Sequence, residues 1–124
     1  MNPYASPAAY RSSSVMTASP GQLVVMLYDG MARFLRQAEI AAGEGAWGHA
    51  SDRISKADAI LEELLITLDL ERGGEIAGRL QGIYVFCRKL LVEARMARGT
   101  EQIAQVAGLL AELRKAWSEA AAAA

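Results

Sequence analysis

Beyond position 20 the sequence contains no proline; the three it has are Pro3, Pro7 and Pro20. An interior proline costs a helix about 3 kcal/mol, so the remaining hundred or so residues are free of the strongest obstacle to long helices. Cysteine is nearly absent as well. Cys87 stands alone, which excludes an internal disulfide and fits a reducing compartment. His49 is the only histidine, one too few for the paired Glu-x-x-His motifs of dinuclear metal sites in helical bundles. Charge of either sign is in little excess: 13 Lys and Arg against 14 Asp and Glu leave a net charge of −1. No bulk electrostatic argument therefore favours nucleic acid or a membrane surface. No apolar run approaches the roughly 20 residues of a membrane span, and no basic stretch followed by an apolar one marks a secretory signal. The expectation is a cytoplasmic protein that does not insert into membranes.

The sequence is otherwise rich in apolar residues, 52% of 124, enough for one domain with a core that needs neither metal nor disulfide. β-branched residues are too scattered for strands, and the apolar residues repeat at helical spacing. Ser19, Pro20 and Gln22 form a capping-box start. Leu23, Leu27, Met31, Phe34 or Leu35, and Ala38 follow on one face of a first helix, expected from 19 to about 42. Gly30 sits inside it at a cost of about 1 kcal/mol against Ala, where a small residue admits a close neighbour. A second helix is expected from about 48 to 70, with Ile54, Ala57, Leu61, Leu64 and Leu68 as a heptad seam. Ile60, Leu65 and Ile66 form a second stripe, and Gly73-Gly74 a stop signal. A third helix is expected from about 75 to 97, with Ile76, Leu80, Ile83, Cys87, Leu90 and Ala94 as its seam. Tyr84, Val85, Leu91 and Val92 broaden its apolar face, and Gly99 closes it. Thr100 can cap a fourth, with Ile103, Val106, Leu110, Leu113 and Trp117 inward. Four helices of about 30 Å each, joined by short loops, predict an all-α, antiparallel up-down-up-down four-helix bundle. It would occupy 19–119, preceded by an N-terminal segment, 1–18, partly ordered and either flexible or docked, and followed by a fraying alanine end, 120–124. The second and third helices carry more apolar surface than one seam requires. That surplus must be exposed, be covered by residues 1–18, or meet a partner.

Several short patterns have bland explanations. GEGAWG (43–48) matches G-x-G-x-x-G, but a helix precedes it where a dinucleotide site needs a strand, so the glycines turn a loop. His49 at a helix start reads as a surface residue, although a lone histidine could serve phosphotransfer. Cys87, on an apolar seam without a catalytic partner, reads as core. Asp29 is placed to pair with a neighbouring helix. The second helix is acidic (Asp58, Glu62, Glu63, Asp69, Glu71) and the third basic (Arg79, Arg88, Lys89, Arg95, Arg98). Two solvated faces attracting each other explain this, and steering of a partner is the alternative. Polar residues fall on solvated faces and caps rather than converging in a pocket, so neither catalysis nor a cofactor or metal is expected.

The stretch AYRSSSVMTASPGQLVVMLYDGMARFLRQA (9–38) resembles the start of the FliS family of flagellar secretion chaperones. The resemblance is carried by Tyr10, Val15, Thr17, Ala18, Ser19, Pro20, Leu23, Val24, Met26, Leu27, Tyr28, Asp29 and Gly30. ISKADAILEELLITLDLERGGEIAGRLQGIY (54–84) is similar to the family's second and third helices, and LLAELRKAW (109–117) to its last. The chain departs from the family pattern at Arg79, Phe86 and Arg95, where Asn, Tyr and Asn are frequent, and these changes add positive charge to the third helix.

The resemblance implies a chaperone that binds the disordered, amphipathic C-terminal segment of flagellin, prevents premature polymerisation and delivers it to the flagellar export gate. It implies a helix-in-groove mode, with the surplus apolar faces as the groove and the segment around Tyr10 lying over part of it. The residues expected to touch the partner are Tyr10, Val15, Met16, Leu23, Met26, Leu27, Tyr28, Ile60, Leu65, Tyr84 and Leu91. A different class of reading remains open, a self-associating scaffold or homodimer, or an adaptor for another amphipathic helix.

Overall fold

The computed structural model describes residues 19–123. Four helices follow in order: α1 (Pro20–Gly43), α2 (Trp47–Thr67), α3 (Leu70–Ala97) and α4 (Thr100–Ala123). The expected all-α four-helix bundle is what forms. Each helix packs against its predecessor, and α4 returns to α1 to close the ring. Links of two or three residues force neighbours to run antiparallel. Side-chain pairs record the same register: Gln37 meets Arg53 near one end of α1–α2, while Gly30 faces Ile60 farther along.

Local chemistry sets the helix ends. The Gln22 amide N–H donates to Ser19 Oγ at 3.3 Å and the Ser19 amide N–H to Gln22 Oε1 at 2.9 Å, a complete capping box. The α1–α2 loop turns at Gly45, whose φ of 76° lies in the left-handed region. Ala41, Ala42 and Ala50 close that end of the bundle beneath Trp47.

Two boundaries differ from the sequence expectation. Helix α2 stops at Thr67, before Leu70, because Asp69 starts the next helix: its Oδ1 accepts the Arg72 amide N–H at 3.0 Å. The Gly73-Gly74 pair does not end α2 but kinks α3, with Gly74 at φ 54°, ψ −131° after a single turn of helix. At the far end of α3, Arg98 rather than Gly99 adopts the left-handed conformation, φ 52°, ψ 45°, and the Gly99 amide bonds back to Ala94 O at 3.1 Å. Helix α4 continues through Ala123, into the stretch expected to fray.

The core contains Tyr28, Met31, Leu35 and Ala38 from α1, and Ile54, Ala57, Leu61 and Leu64 from α2. Helix α3 adds Tyr84, Cys87, Leu90, Leu91 and Ala94, and α4 adds Ile103, Val106 and Leu110. The expected seam of α3 needs correction. Ile76 is 72% exposed, and Leu80 and Ile83 are only half-buried, whereas Cys87, Leu90 and Ala94 are buried as expected and are joined by Ala77, Tyr84 and Leu91. The kink at Gly74 gives the helix a new start, and its inward face widens toward Ala77, Tyr84 and Leu91, each one residue on from a seam position. No charged side chain is buried among the described residues. The Gly30 position admits Ile60, whose Cδ1 would lie 3.3 Å from a Cβ placed there.

Candidate functional site

Part of the exposed apolar surface lies along the seam between α2 and α3. On α3, Val85 (54% exposed), Val92 (51%) and Met96 (82%) project outward in a row. Their spacing of seven and four residues keeps them on one helical stripe beside the buried line. Leu65 faces them from α2, and exposed Ile66 stands next to it. Two adjoining shallow depressions follow this seam. One of about 230 Å³ is lined by Asp58, Leu65, Val85, Arg88, Lys89 and Val92. The other, of about 270 Å³, is lined by Ser51, Val92, Arg95 and Met96. The eleven steps from Val85 to Met96 rise about 16 Å, room for roughly three turns of a docked helix.

Ion pairing ties the two walls together. Arg88 Nε donates to Asp58 Oδ1 at 2.8 Å and Nη2 to Oδ2 at 3.2 Å, with Glu62 Oε2 at 3.6 Å. The forked geometry suits arginine, and the hydrogen bonds to Asp58 raise the guanidinium's pKa further. Arg95 reaches across to Ser51 Oγ at 3.0 Å. The acidic and basic helices identified in the sequence thus meet at this seam. On the other side of the bundle Asp29 pairs with Arg114 of α4, at 2.6 Å.

A second groove lies where α1 begins and α4 ends, about 360 Å³ lined by Gln22, Val25, Met26, Ser118 and Ala122. His49 is exposed, and no cluster of His, Cys, Asp and Glu among the described residues could hold a metal ion. Cys87 is fully buried, and burial pushes its thiol up to about 11, which leaves it protonated and unreactive at neutral pH.

A family model described as flagellar protein FliS matches residues 1–124. The chain belongs to the FliS family. It is 34% identical over 119 residues to the flagellar secretion chaperone FliS of Bacillus subtilis, covering 96% of this chain and 86% of that protein. It is 36% identical over 108 residues to the flagellar secretion chaperone FliS of Salmonella typhimurium, covering 86% and 80%. With the flagellar secretion chaperone FliSB of Pseudomonas aeruginosa it shares 34% over 105 residues, 85% and 83% of the two chains.

Of the residues expected from the sequence to meet a partner, the described ones are not all on one surface of this FliS-family chain. Tyr10, Val15 and Met16 lie outside the described residues. Tyr28, Tyr84 and Leu91 are core residues, each about 1% exposed, and a partner docked on the closed bundle does not reach them. Leu27 and Ile60 are half-buried against that core, Ile60 on the α1 side of α2. Leu23 is half-buried, and Met26 lines the α1–α4 groove. Leu65 alone lines the α2–α3 groove. Tyr28 belongs to the motif that carries the family resemblance, and Tyr84 to the broadened apolar face of the third helix. Their hydroxyls instead bond to each other, 2.5 Å apart inside the bundle, which satisfies both polar ends without solvent. Burial, followed by the bond to Tyr84, holds the Tyr28 phenol far above its ordinary pKa, and burial raises Tyr84 as well. Val85, Val92, Met96 and Ile66 were not chosen as site residues. The signal for Val85 and Val92 was present, as apolar residues beyond those one seam requires.

Proposed function

We propose that this chain is a flagellar export chaperone. It binds the C-terminal segment of flagellin in the cytoplasm, keeps that segment from polymerising and hands it to the flagellar export gate. The relatives named above are flagellar secretion chaperones, and what they do is carried to this chain as the proposal. The observation behind it is the exposed apolar row Val85, Val92 and Met96, lined on the α2 side by Leu65. A bundle whose core is already complete has no structural need for that row. A disordered segment gains most by folding as an amphipathic helix along such a groove, because ordering its backbone is offset by burying one continuous apolar edge.

The test is calorimetric titration with a peptide of the flagellin C-terminal segment, using an N-terminal flagellin peptide as control. One-to-one binding of the C-terminal peptide alone, with a negative heat-capacity change, is expected. Replacing Val85→Ser and Val92→Ser together removes apolar contact without adding charge and should weaken binding about tenfold or more, with helix content unchanged. Equal binding of both peptides, or full affinity in the doubly substituted chain, would overturn the proposal. A concentration-dependent mass with no peptide binding would point to self-association through the same groove.

A further inference from the structure

The two halves of α3 are anchored differently. From Tyr84 onward the helix is tied to its neighbours. Tyr84 bonds to Tyr28 of α1, Arg88 to Asp58 and Arg95 to Ser51 of α2, and Cys87, Leu90, Leu91 and Ala94 are buried. Before Tyr84 the one fully buried side chain is Ala77, with Leu80 and Ile83 half-buried. The side-chain pairs of this half are local: Arg79 with Glu75 one turn back, at 2.7 Å, and Arg72 with the cap residue Asp69, at 3.8 Å. Among the described residues, no side-chain hydrogen bond or ion pair joins 70–83 to another helix.

Glycine weakens the same half from within. Four of the chain's 11 glycines, Gly73, Gly74, Gly78 and Gly82, fall in it, and the rest of α3 has none. Gly74 serves the kink, at φ 54°. Gly78 and Gly82 have negative φ, and a Cβ placed at either meets nothing within 4 Å. Each lowers the helix equilibrium by about fivefold against alanine and gains no close packing in return.

We infer that residues 70–83 form a strap that opens while the rest of the bundle, including α3 from Tyr84 on, stays folded. A segment with few buried side chains and exposed backbone opens at a fraction of the global cost. The opening stops where the buried Tyr28–Tyr84 bond pins the helix. The register set by the Asp58–Arg88 and Ser51–Arg95 pairs runs the strap beside the end of α2. Opening therefore takes cover from buried Leu64 and half-buried Leu68, in line with Leu65 of the α2–α3 groove. The apolar seam lengthens toward that end without the core coming apart. The opening belongs to the free chain and needs no partner.

Native-state hydrogen exchange of the full chain, followed residue by residue by NMR over a series of low urea concentrations, tests this. Relative to their unstructured rates, the amides of residues 79–83 should exchange about a hundredfold or more faster than those of residues 88–94, with little dependence on urea. Gly78→Ala/Gly82→Ala should slow them about tenfold or more. Gly108→Ala, an equally uncrowded change in α4, should leave them unaltered, because α4 stays folded when the strap opens. Exchange of 79–83 with the opening equilibrium and urea slope of 88–94, or slowed alike by Gly108→Ala, would overturn the strap, since α3 would then open only with the whole bundle. Exchange indifferent to the glycine pair would overturn it too.

Discussion

The Tyr28–Tyr84 pair yields a stability prediction in which removing two hydroxyls costs less than removing one. The two phenols come from α1 and α3, non-adjacent helices of the ring, and bond at 2.5 Å with each residue about 1% exposed. Trp117 stands next to both. Tyr28→Phe deletes one oxygen and leaves a buried hydroxyl without its partner, a loss of about 1–3 kcal/mol. Tyr84→Phe does the same from the other side. In the double variant the bond is gone but no polar group is stranded, so the combined loss should be about 1 kcal/mol or less. The coupling energy from the cycle is then about 1–5 kcal/mol and favourable, with its low end set by how well the Trp117 indole N–H replaces the missing partner. Urea unfolding followed by far-ultraviolet circular dichroism resolves this. With a slope of about 1–2 kcal/mol per molar for a small domain, each single variant moves the midpoint by about 1 M. Additive losses would refute the account, because they would mean the hydroxyls do not depend on each other. Affinity for a groove-bound peptide should stay within about twofold in all three variants. A large affinity loss without a stability loss would mean that these tyrosines face a partner after all.

Two further predictions concern backbone and ionisation. Arg98→Gly removes the side chain from a left-handed residue at the α3 terminus, and should stabilise the bundle by about 0.5–1 kcal/mol after the added entropy of glycine in the unfolded chain is counted; an unchanged or lower melting temperature would contradict it. Alkaline pH should destabilise the fold. The folded-state pKa values of Cys87, at about 11, and of both tyrosines lie above their ordinary values, so the unfolded chain releases these protons first. Their contribution is complete below about pH 9 and is lost as pH rises, first through the thiol and then through the phenols. Urea midpoints measured from pH 7 to 11 should be flat and then fall, with the fall beginning about one unit higher in Cys87→Ala; a midpoint rising above pH 9 would be the wrong sign.

The sequence by itself determined the helices, their order and their antiparallel arrangement. Those follow from spacing, from the absence of proline after Pro20 and from caps such as Ser19 and Gln22, which act within a few residues along the chain. The heptad lines of α1, α2 and α4 were legible for the same reason, since a seam at three- and four-residue spacing has one inward direction. Helix α3 was not, because apolar residues surround much of it and a stripe three residues wide does not state its own centre. Tertiary packing chose the line through Tyr84 and Leu91, and the kink at Gly74 turned Ile76 outward. The same choice decided the candidate site. A tyrosine is equally suited to an interface or to a core that offers its hydroxyl a partner, and Tyr28 and Tyr84 became core only because the bundle brings them together across 56 residues of chain. Once they had filled the interior, Val85, Val92 and Met96 were left at the surface. Burial is a property of what the neighbouring helices supply, which no single stretch of the sequence contains.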